Sequence, residues 1–401
     1  RHEYADFELD GEVDNYAGYL TALRDHFVSQ PLVVLETGVP SSIGSAHRGP
    51  LGRDQGGHTE VEAMTIMRDL VDIAERVDVA GAFLFEWADE WFKLTWNTRD
   101  LERPADRRPL WHNAMTNESY FGLLAVEPGG EGRVVTIDGS GDGFNRDNSQ
   151  VIHEGAAPIT EVRAIHDAER LFLRVLTRGE PWQSTEGLTV TFDAVDGGGG
   201  ALPDTATDVP AADVALRLAD GEAHLLRRAS LDPNLHVYGR AHGELEFDER
   251  DLAPGSGVWE PVRQVVNRPL TVPTTGEAQP IEWHDLNPLR RGTTDPTSPD
   301  FDPHATWAAG DGVIELALPW GMLGFADPSS RQFLVPADTA GEFDTETVER
   351  LGISVVVGDG PRLDTAGYAW EQWQSVAWHE RPKRGLGELV ADLRSRAVPA
   401  G

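Results

Sequence analysis

Two stretches of the sequence place acidic side chains at the end of an apolar run. In "PLVVLETGVPSS", Glu36 follows four apolar residues and precedes a Gly- and Pro-containing break. In "FLFEWADEWFK", Glu86, Asp89 and Glu90 follow a second apolar run and are interleaved with tryptophans. Carboxylates presented at strand ends are suited to nucleophilic or acid/base chemistry.

A sugar-cleaving site needs this mixture of residues. Retaining glycoside hydrolysis uses one carboxylate as nucleophile and a second, about 5 Å away, as acid and then base. The indoles of Trp87, Trp91 and Trp96 offer flat apolar faces for sugar rings. The alternative is a strand-end acid paired with an arginine, with the tryptophans in the core. The spacing alone leaves both interpretations open.

The elements around these acids predict βα units. Apolar residues at helical spacing predict a helix over Val13–Val28, and Leu32–Leu35 is a continuous apolar run typical of a strand in a parallel sheet. A second helix is predicted over Thr59–Val77, with Thr59 as its N-cap, and a second strand in "VAGAFLFEW". In βα barrels, catalytic groups lie where the strands end.

The pattern changes after about residue 127. "ITEVRAIHDAERLFLRVLT", "GLTVTFDAV" and "RLGISVVVGDG" alternate in period two, which predicts an antiparallel β-sandwich over residues 127–401. Long surface loops are expected near Gly197–Pro210 and Pro269–Pro303, and "GLGELVADLRSRAV" predicts a C-terminal helix. The predicted fold is therefore α/β followed by all-β.

The first 126 residues resemble glycoside hydrolase family 17, the β-1,3-glucan hydrolases and transglycosylases. "VVLETGVPSS", "FLFEWADEWFK" and "ESYFGLL" are similar to three of its motifs, in the same order, although Val39 replaces the family's Trp. The resemblance implies the C-terminal part of a clan A (β/α)8 TIM barrel, with strands 7 and 8 at residues 32–36 and 79–87. Family 2 glycosidases share that barrel and are also similar.

The resemblance also implies roles for individual residues. Glu36 would be the nucleophile, and the donor-side sugar site would be lined by Glu86, Glu90 and Lys93. Trp87 and Trp91 would be sugar platforms, an assignment that their chemistry supports equally.

The acid/base glutamate of the family belongs to the fourth strand, which should precede this sequence. Asn117-Glu118 is similar to the Asn-Glu pair of such strands, but it follows strand eight without a preceding apolar run, so we exclude it. The start at Arg1 is read as a processed or truncated end. The chain alone is then expected to be inactive, with an upstream barrel half as partner.

The second region resembles family 9 carbohydrate-binding modules, most clearly over residues 133–195. Asp138, Ser140 and Asp142, followed by Gly143, have the spacing of a calcium loop, although Ser149 occupies the position of the bidentate Glu. An ordinary Asp-Gly turn is the alternative. No other cofactor is expected, and no metal ligand is assigned elsewhere. The tryptophans of this region are interpreted mainly as core.

Composition restricts the partners. Asp and Glu total 67 against 34 Lys and Arg, a formal charge of −33 that would repel a nucleic-acid backbone and leaves neutral carbohydrate as a better partner. Cysteine is absent, which excludes disulfides and thiolate catalysis, and no apolar run is long enough to span a membrane. An extracellular or cell-surface location is favoured.

The sequence therefore predicts a retaining glycoside hydrolase or transglycosylase acting on a β-glucan-type polysaccharide, with Glu36 as half of the catalytic pair. The alternatives are a non-catalytic carbohydrate-binding or cell-surface protein and an accessory to polysaccharide synthesis.

Overall fold

Antiparallel strands are the main regular secondary structure in the computed structural model, which describes residues 4–202, 209, 211–273 and 275–396. Strands hold 31% of the described residues and helical segments 20%. The strands are, in chain order, β1 (Glu8–Leu9), β2 (Glu12–Val13), β3 (Val33–Thr37), β4 (Gly81–Leu84), β5 (Leu124–Pro128), β6 (Gln150–Glu154), β7 (Ile159–His166), β8 (Arg170–Thr177), β9 (Leu188–Asp193), β10 (Val214–Ala219), β11 (Glu222–Arg228), β12 (Trp259–Pro261), β13 (Arg263–Asn267), β14 (Leu270–Thr271), β15 (Ala278–Gln279), β16 (Glu282–Asp285), β17 (Trp307–Gly310), β18 (Val313–Pro319), β19 (Phe325–Asp327), β20 (Gln332–Pro336), β21 (Phe343–Thr347), β22 (Gly352–Val357), β23 (Leu363–Asp364) and β24 (Trp378–Pro382).

The helical segments account for fewer residues than the strands do. The α-helices are α1 (Asn15–His26), α2 (Glu60–Arg76), α3 (Trp320–Leu323) and α4 (Leu386–Ser395). Short 3₁₀ helices and one π-helical segment connect other elements, at Pro50–Gly52, Arg99–Leu101, Ala105–Leu110, Asn117–Tyr120, Pro181–Gln183, Ala229–Leu231, Leu235–Ala241 and Glu249–Leu252. In the described part of the chain, no helix combines the length and the apolar character that crossing a membrane requires.

The first two helices begin at side-chain caps. Asp14 accepts hydrogen bonds from the backbone N–H groups of Tyr16 and Ala17 at 2.9 and 2.8 Å, which starts α1. The predicted N-cap Thr59 is confirmed, and it forms a reciprocal capping box with Glu62 at the start of α2. These caps satisfy backbone donors that the first turn of a helix leaves unpaired.

The prediction of α/β structure from the C-terminal part of a (β/α)8 TIM barrel is wrong. The strands expected at 32–36 and 79–87 occur as β3 and β4 and pair in parallel, but they form a sheet of only two strands in a β-rich fold. Their outer face is open, with Leu35 74% and Phe83 61% exposed. A continuous apolar run identifies a strand, but it does not show how many strands lie beside it or whether both faces are covered.

Two antiparallel sheets contain the main core. One has six strands in the order β12-β11-β10-β9-β22-β23, and the other has five in the order β17-β18-β8-β7-β6. Alternate residues of both sheets, such as Leu173 of β8 and Val190 of β9, belong to one cluster of buried side chains. The two sheets therefore pack against each other, as period-two burial of one face requires.

The end of the chain returns to its beginning. β24 pairs antiparallel with β5, and Leu389 of α4 packs on Met64 and Met67 of α2. The predicted C-terminal helix is α4, although residues 397 and 398 of that prediction lie outside the described residues. Residues 203–208 and 210 of the first predicted loop, and residue 274 of the second, also lie outside the described residues. The second predicted loop contains the short strands β14, β15 and β16. The predicted division at residue 126 falls within β5 and stays a prediction.

Candidate functional site

An open cavity of 540 Å³ lies at the C-terminal end of β3, between α1 and the segments that follow β4. Aromatic rings and polar groups share its walls, and its lining includes Tyr16, Tyr19, Glu36, Thr37, Arg53, Gln55, Phe85, Glu118 and Phe121. Apolar walls with a few convergent polar groups are typical of sites for small polar ligands. The aromatic side chains of this cavity are tyrosines and phenylalanines, and they differ from the predicted sugar platforms Trp87 and Trp91.

The backbone after Glu36 passes close to the segment that follows β4. A side chain at Gly38 would place its Cβ 2.4 Å from the carbonyl oxygen of Phe85, so only glycine permits this approach. The Glu36 side chain is exposed and, within the described residues, makes no hydrogen bond or ion pair. Glu36 is therefore not paired with an arginine of the described residues, contrary to the alternative interpretation of a strand-end acid.

Glu118 is a second carboxylate in the same cavity, and the sequence interpretation excluded it. It lies on the 3₁₀ helix Asn117–Tyr120 and accepts a hydrogen bond from the Gln55 side-chain amide at 3.0 Å. Burial raises the pKa of Glu118; Lys93 and His47 oppose this shift, and the charge of Glu36 raises the pKa further. A carboxyl group whose pKa is raised, beside an exposed carboxylate, is suited to proton donation.

The position of Glu118 depends on the backbone after β4. The backbone N–H of Glu86 donates to the carbonyl of Phe121 at 3.1 Å, and the N–H of Leu123 donates to the carbonyl of Glu86 at 2.8 Å. These bonds bring the "NESYFGLL" segment alongside "FEW". No apolar strand precedes Glu118 in the sequence, so the strand-end pattern does not indicate it; the short chain between the two motifs is the signal that places them near each other.

Glu86, Glu90 and Lys93 form a second group beside the cavity. Lys93 Nζ lies 3.2 Å from Glu86 Oε2 and 2.8 Å from Glu90 Oε2. Burial raises the pKa of Glu86 to about 7, with Lys93 opposing and Glu90 adding to the shift. Hydrogen bonding to Lys93 lowers the pKa of Glu90. Lys93 also lies 4.3 Å from the ring centre of Phe85, a cavity residue, so the group borders the site.

Asp89 is separated from the acids beside it in sequence. Its carboxylate is buried and lies 2.7 Å from Lys383 Nζ, and it accepts a hydrogen bond from the backbone N–H of Gly122 at 2.8 Å. The acidic cluster of the sequence therefore divides into one buried structural acid and two acids near the cavity.

The predicted platforms Trp87 and Trp91 do not line the cavity. Trp87 is 73% exposed. Trp91 is half-buried, donates its indole N–H to the carbonyl of Pro109 at 2.9 Å and stacks on His112 with ring centres 5.2 Å apart. Trp91 thus has packing partners within the protein, and Trp87 alone presents a largely open indole face.

The predicted calcium loop has the hydrogen bonds of a local turn. Asp138 Oδ1 accepts from the backbone N–H of Ser140 at 2.7 Å, and Ser140 Oγ accepts from the N–H of Asp142 at 3.2 Å. Among the residues described, no group of three or more His, Asp or Glu side chains is arranged to hold a metal ion. Calcium at Asp138 and Asp142 stays a prediction.

Comparison with known proteins gave no match. No family model fits the chain, and no curated protein or solved structure matches it. The resemblances to glycoside hydrolase families 17 and 2 and to family 9 carbohydrate-binding modules therefore stay predictions.

Proposed function

We propose that this chain cleaves or transfers glycosidic bonds of a β-glucan-type polysaccharide, with Glu36 as nucleophile and Glu118 as acid/base. The observation that carries the proposal is the presence of both carboxyl groups in one open cavity, in different environments. The proposal does not depend on a barrel, because the chemistry belongs to the site rather than to the fold.

The two environments support a division of roles. Glu36 is exposed and unpaired within the described ranges, so its carboxylate is accessible to an electrophilic carbon. Glu118 is half-buried, and burial raises its pKa. A carboxyl group whose pKa is raised by burial is suited to the role of proton donor, and an accessible carboxylate is suited to the role of nucleophile.

The proposed reaction has two steps. Glu36 bonds to the anomeric carbon as the bond to the leaving oxygen breaks, and that oxygen takes the proton of Glu118. Glu118, now ionised, removes a proton from water or from a sugar hydroxyl, which attacks the anomeric carbon and releases Glu36. The aromatic walls formed by Tyr16, Phe85 and Phe121 would contact the apolar faces of the sugar.

The test compares two substrates and three variants of the chain. Glu36→Gln should abolish release of reducing sugar from a β-1,3-glucan and of nitrophenol from an aryl β-glucoside. Glu118→Gln should lower kcat/KM for the glucan by about 10²–10⁴-fold and that for the aryl glucoside much less, since nitrophenolate leaves without protonation in the first step. Exposed Glu131→Gln is the matched control and should leave both rates unchanged.

Unchanged turnover in Glu36→Gln would contradict the assignment of the nucleophile. If the unsubstituted chain is retained on insoluble glucan but releases no sugar, the non-catalytic carbohydrate-binding alternative is the correct one.

A further inference from the structure

A second cavity of 430 Å³ adjoins the first. It lies between the start of α1, the loop after β3 and the β13–β16 region, and its lining includes Val13, Asn15, Arg48, Leu51, Asn267, Leu270, Gln279 and Glu282. Three of these residues expose apolar side chains, with Val13 47%, Leu51 56% and Leu270 49% exposed. The cavity thus combines apolar surface with amides and carboxylates, as the first cavity does.

Asn15 connects the two cavities, because it lines both. Asn15 is only 9% exposed, yet within the described residues its side-chain amide makes no hydrogen bond. An amide offers both a donor and an acceptor, which matches the hydroxyl groups of a sugar. Because Asn15 lines both cavities, its amide is accessible to a ligand at the point where they meet.

One loop also borders both cavities. Arg53 and Gln55 line the first, and Arg48 and Leu51 line the second. The loop is fixed by backbone hydrogen bonds, including Gln55 N–H to the carbonyl of His47 at 2.8 Å. The two cavities therefore share this loop as a border, and we refer to them together as the groove.

Leu51 has an unfavourable backbone conformation. Its φ of 62° and ψ of 27° lie in the left-handed region, which a leucine rarely adopts and a glycine adopts readily. More than half of its side chain is exposed, so packing within the protein gives little compensation. Strain of this kind is concentrated at binding sites.

The arginines of the groove are already paired. Arg53 lies 2.5 Å from Asp14, Arg48 lies 3.4 Å from Asp54, and Arg268 is bonded to Glu244. With these charges neutralised internally and a formal net charge of −33, the groove favours a neutral ligand over an anionic one.

We propose that the second cavity binds the continuing chain of a neutral oligosaccharide whose reacting unit lies between Glu36 and Glu118. Leu51, Val13 and Leu270 contact the apolar faces of its rings, and Asn15 hydrogen-bonds its hydroxyl groups where the two cavities meet. This inference rests on the proposed function and adds that the substrate is an extended chain rather than a disaccharide.

The test measures binding by calorimetry in the Glu36→Gln chain, where turnover is blocked, with β-1,3-linked glucose disaccharide and hexasaccharide. The hexasaccharide should bind more tightly. Leu51→Gly removes the side chain and relieves its backbone strain, so the protein should fold normally but bind the hexasaccharide about tenfold more weakly, with disaccharide affinity unchanged. Leu270→Ala should likewise weaken binding of the hexasaccharide and leave the affinity for the disaccharide unchanged.

Ala211→Gly is the matched control, because Ala211 has a similar φ of 66° but does not line the groove. It should leave both affinities unchanged. If the two oligosaccharides bind with equal affinity and Leu51→Gly changes neither affinity, the second binding site is refuted while the proposed function is not. Binding of neither oligosaccharide overturns the proposed function and the second site together.

Discussion

Replacement of Lys383 by methionine should destabilise the protein strongly. Lys383 Nζ lies 2.7 Å from Asp89 Oδ1, and the side chains are only 1% and 3% exposed. Lys383 also donates a hydrogen bond to the carbonyl of Tyr120 at 2.8 Å. This ion pair joins the C-terminal segment to the loop that carries Glu86 and Glu90, so it affects both stability and the shape of the site.

The expected magnitude follows from burial. Methionine keeps the apolar stem of lysine but leaves the Asp89 carboxylate in a dry site without its counter-charge. Loss of one partner of a buried pair typically costs about 3–5 kcal/mol, whereas an exposed pair contributes about 0.2–1 kcal/mol. Because domains are stable by only about 5–15 kcal/mol, the loss should be large.

Urea unfolding followed by circular dichroism measures the change in the free energy of unfolding. The matched control is Arg68→Met, which removes an exposed pair with Asp69 whose side chains are 43% and 53% exposed. The double variant Asp89→Asn with Lys383→Met should recover much of the loss, because no unpaired charge remains. A cost for Lys383→Met no larger than that of the control would refute the reasoning.

Two further predictions concern acids in the first region. Because burial raises the pKa of Glu86 from 4.5 to about 7, the folded state holds this proton more tightly than the unfolded chain does. The contribution of Glu86 to stability is therefore greatest below pH 4.5 and falls as the pH rises to about 7, and urea midpoints of Glu86→Gln should lack this part of the pH dependence. Thr59→Ala removes the cap of α2 and should cost about 1 kcal/mol in the same assay, while an unchanged midpoint would contradict the capping role.

The helices were predictable because their signals are local. The apolar spacing over Thr59–Val77 and the Thr59 cap define α2, and every residue that starts this helix lies within one turn of the cap. Period-two alternation likewise indicates β7 and β8, because burial of one face of a strand selects alternate residues.

The fold class was not predictable from the same signals. "VVLE" and "GAFL" are apolar enough for a strand covered on both faces, yet β3 and β4 form a two-stranded sheet that leaves Leu35 and Phe83 exposed. The number of neighbouring strands depends on how distant segments pack, and here those segments form antiparallel sheets instead. A resemblance of short motifs supplies no information about that packing.

The sequence by itself placed Glu36 at the end of a strand and Glu86, Glu90 and Lys93 within eight residues of chain, because these relations require only neighbouring residues. Only the tertiary structure brought Glu118 into the cavity with Glu36 and paired Asp89 with Lys383, 294 residues away. Contacts of this kind depend on the backbone path between distant segments, and on which polar groups that path buries together. Periodicity and spacing along the chain indicate neither the backbone path between distant segments nor the polar groups that become buried together.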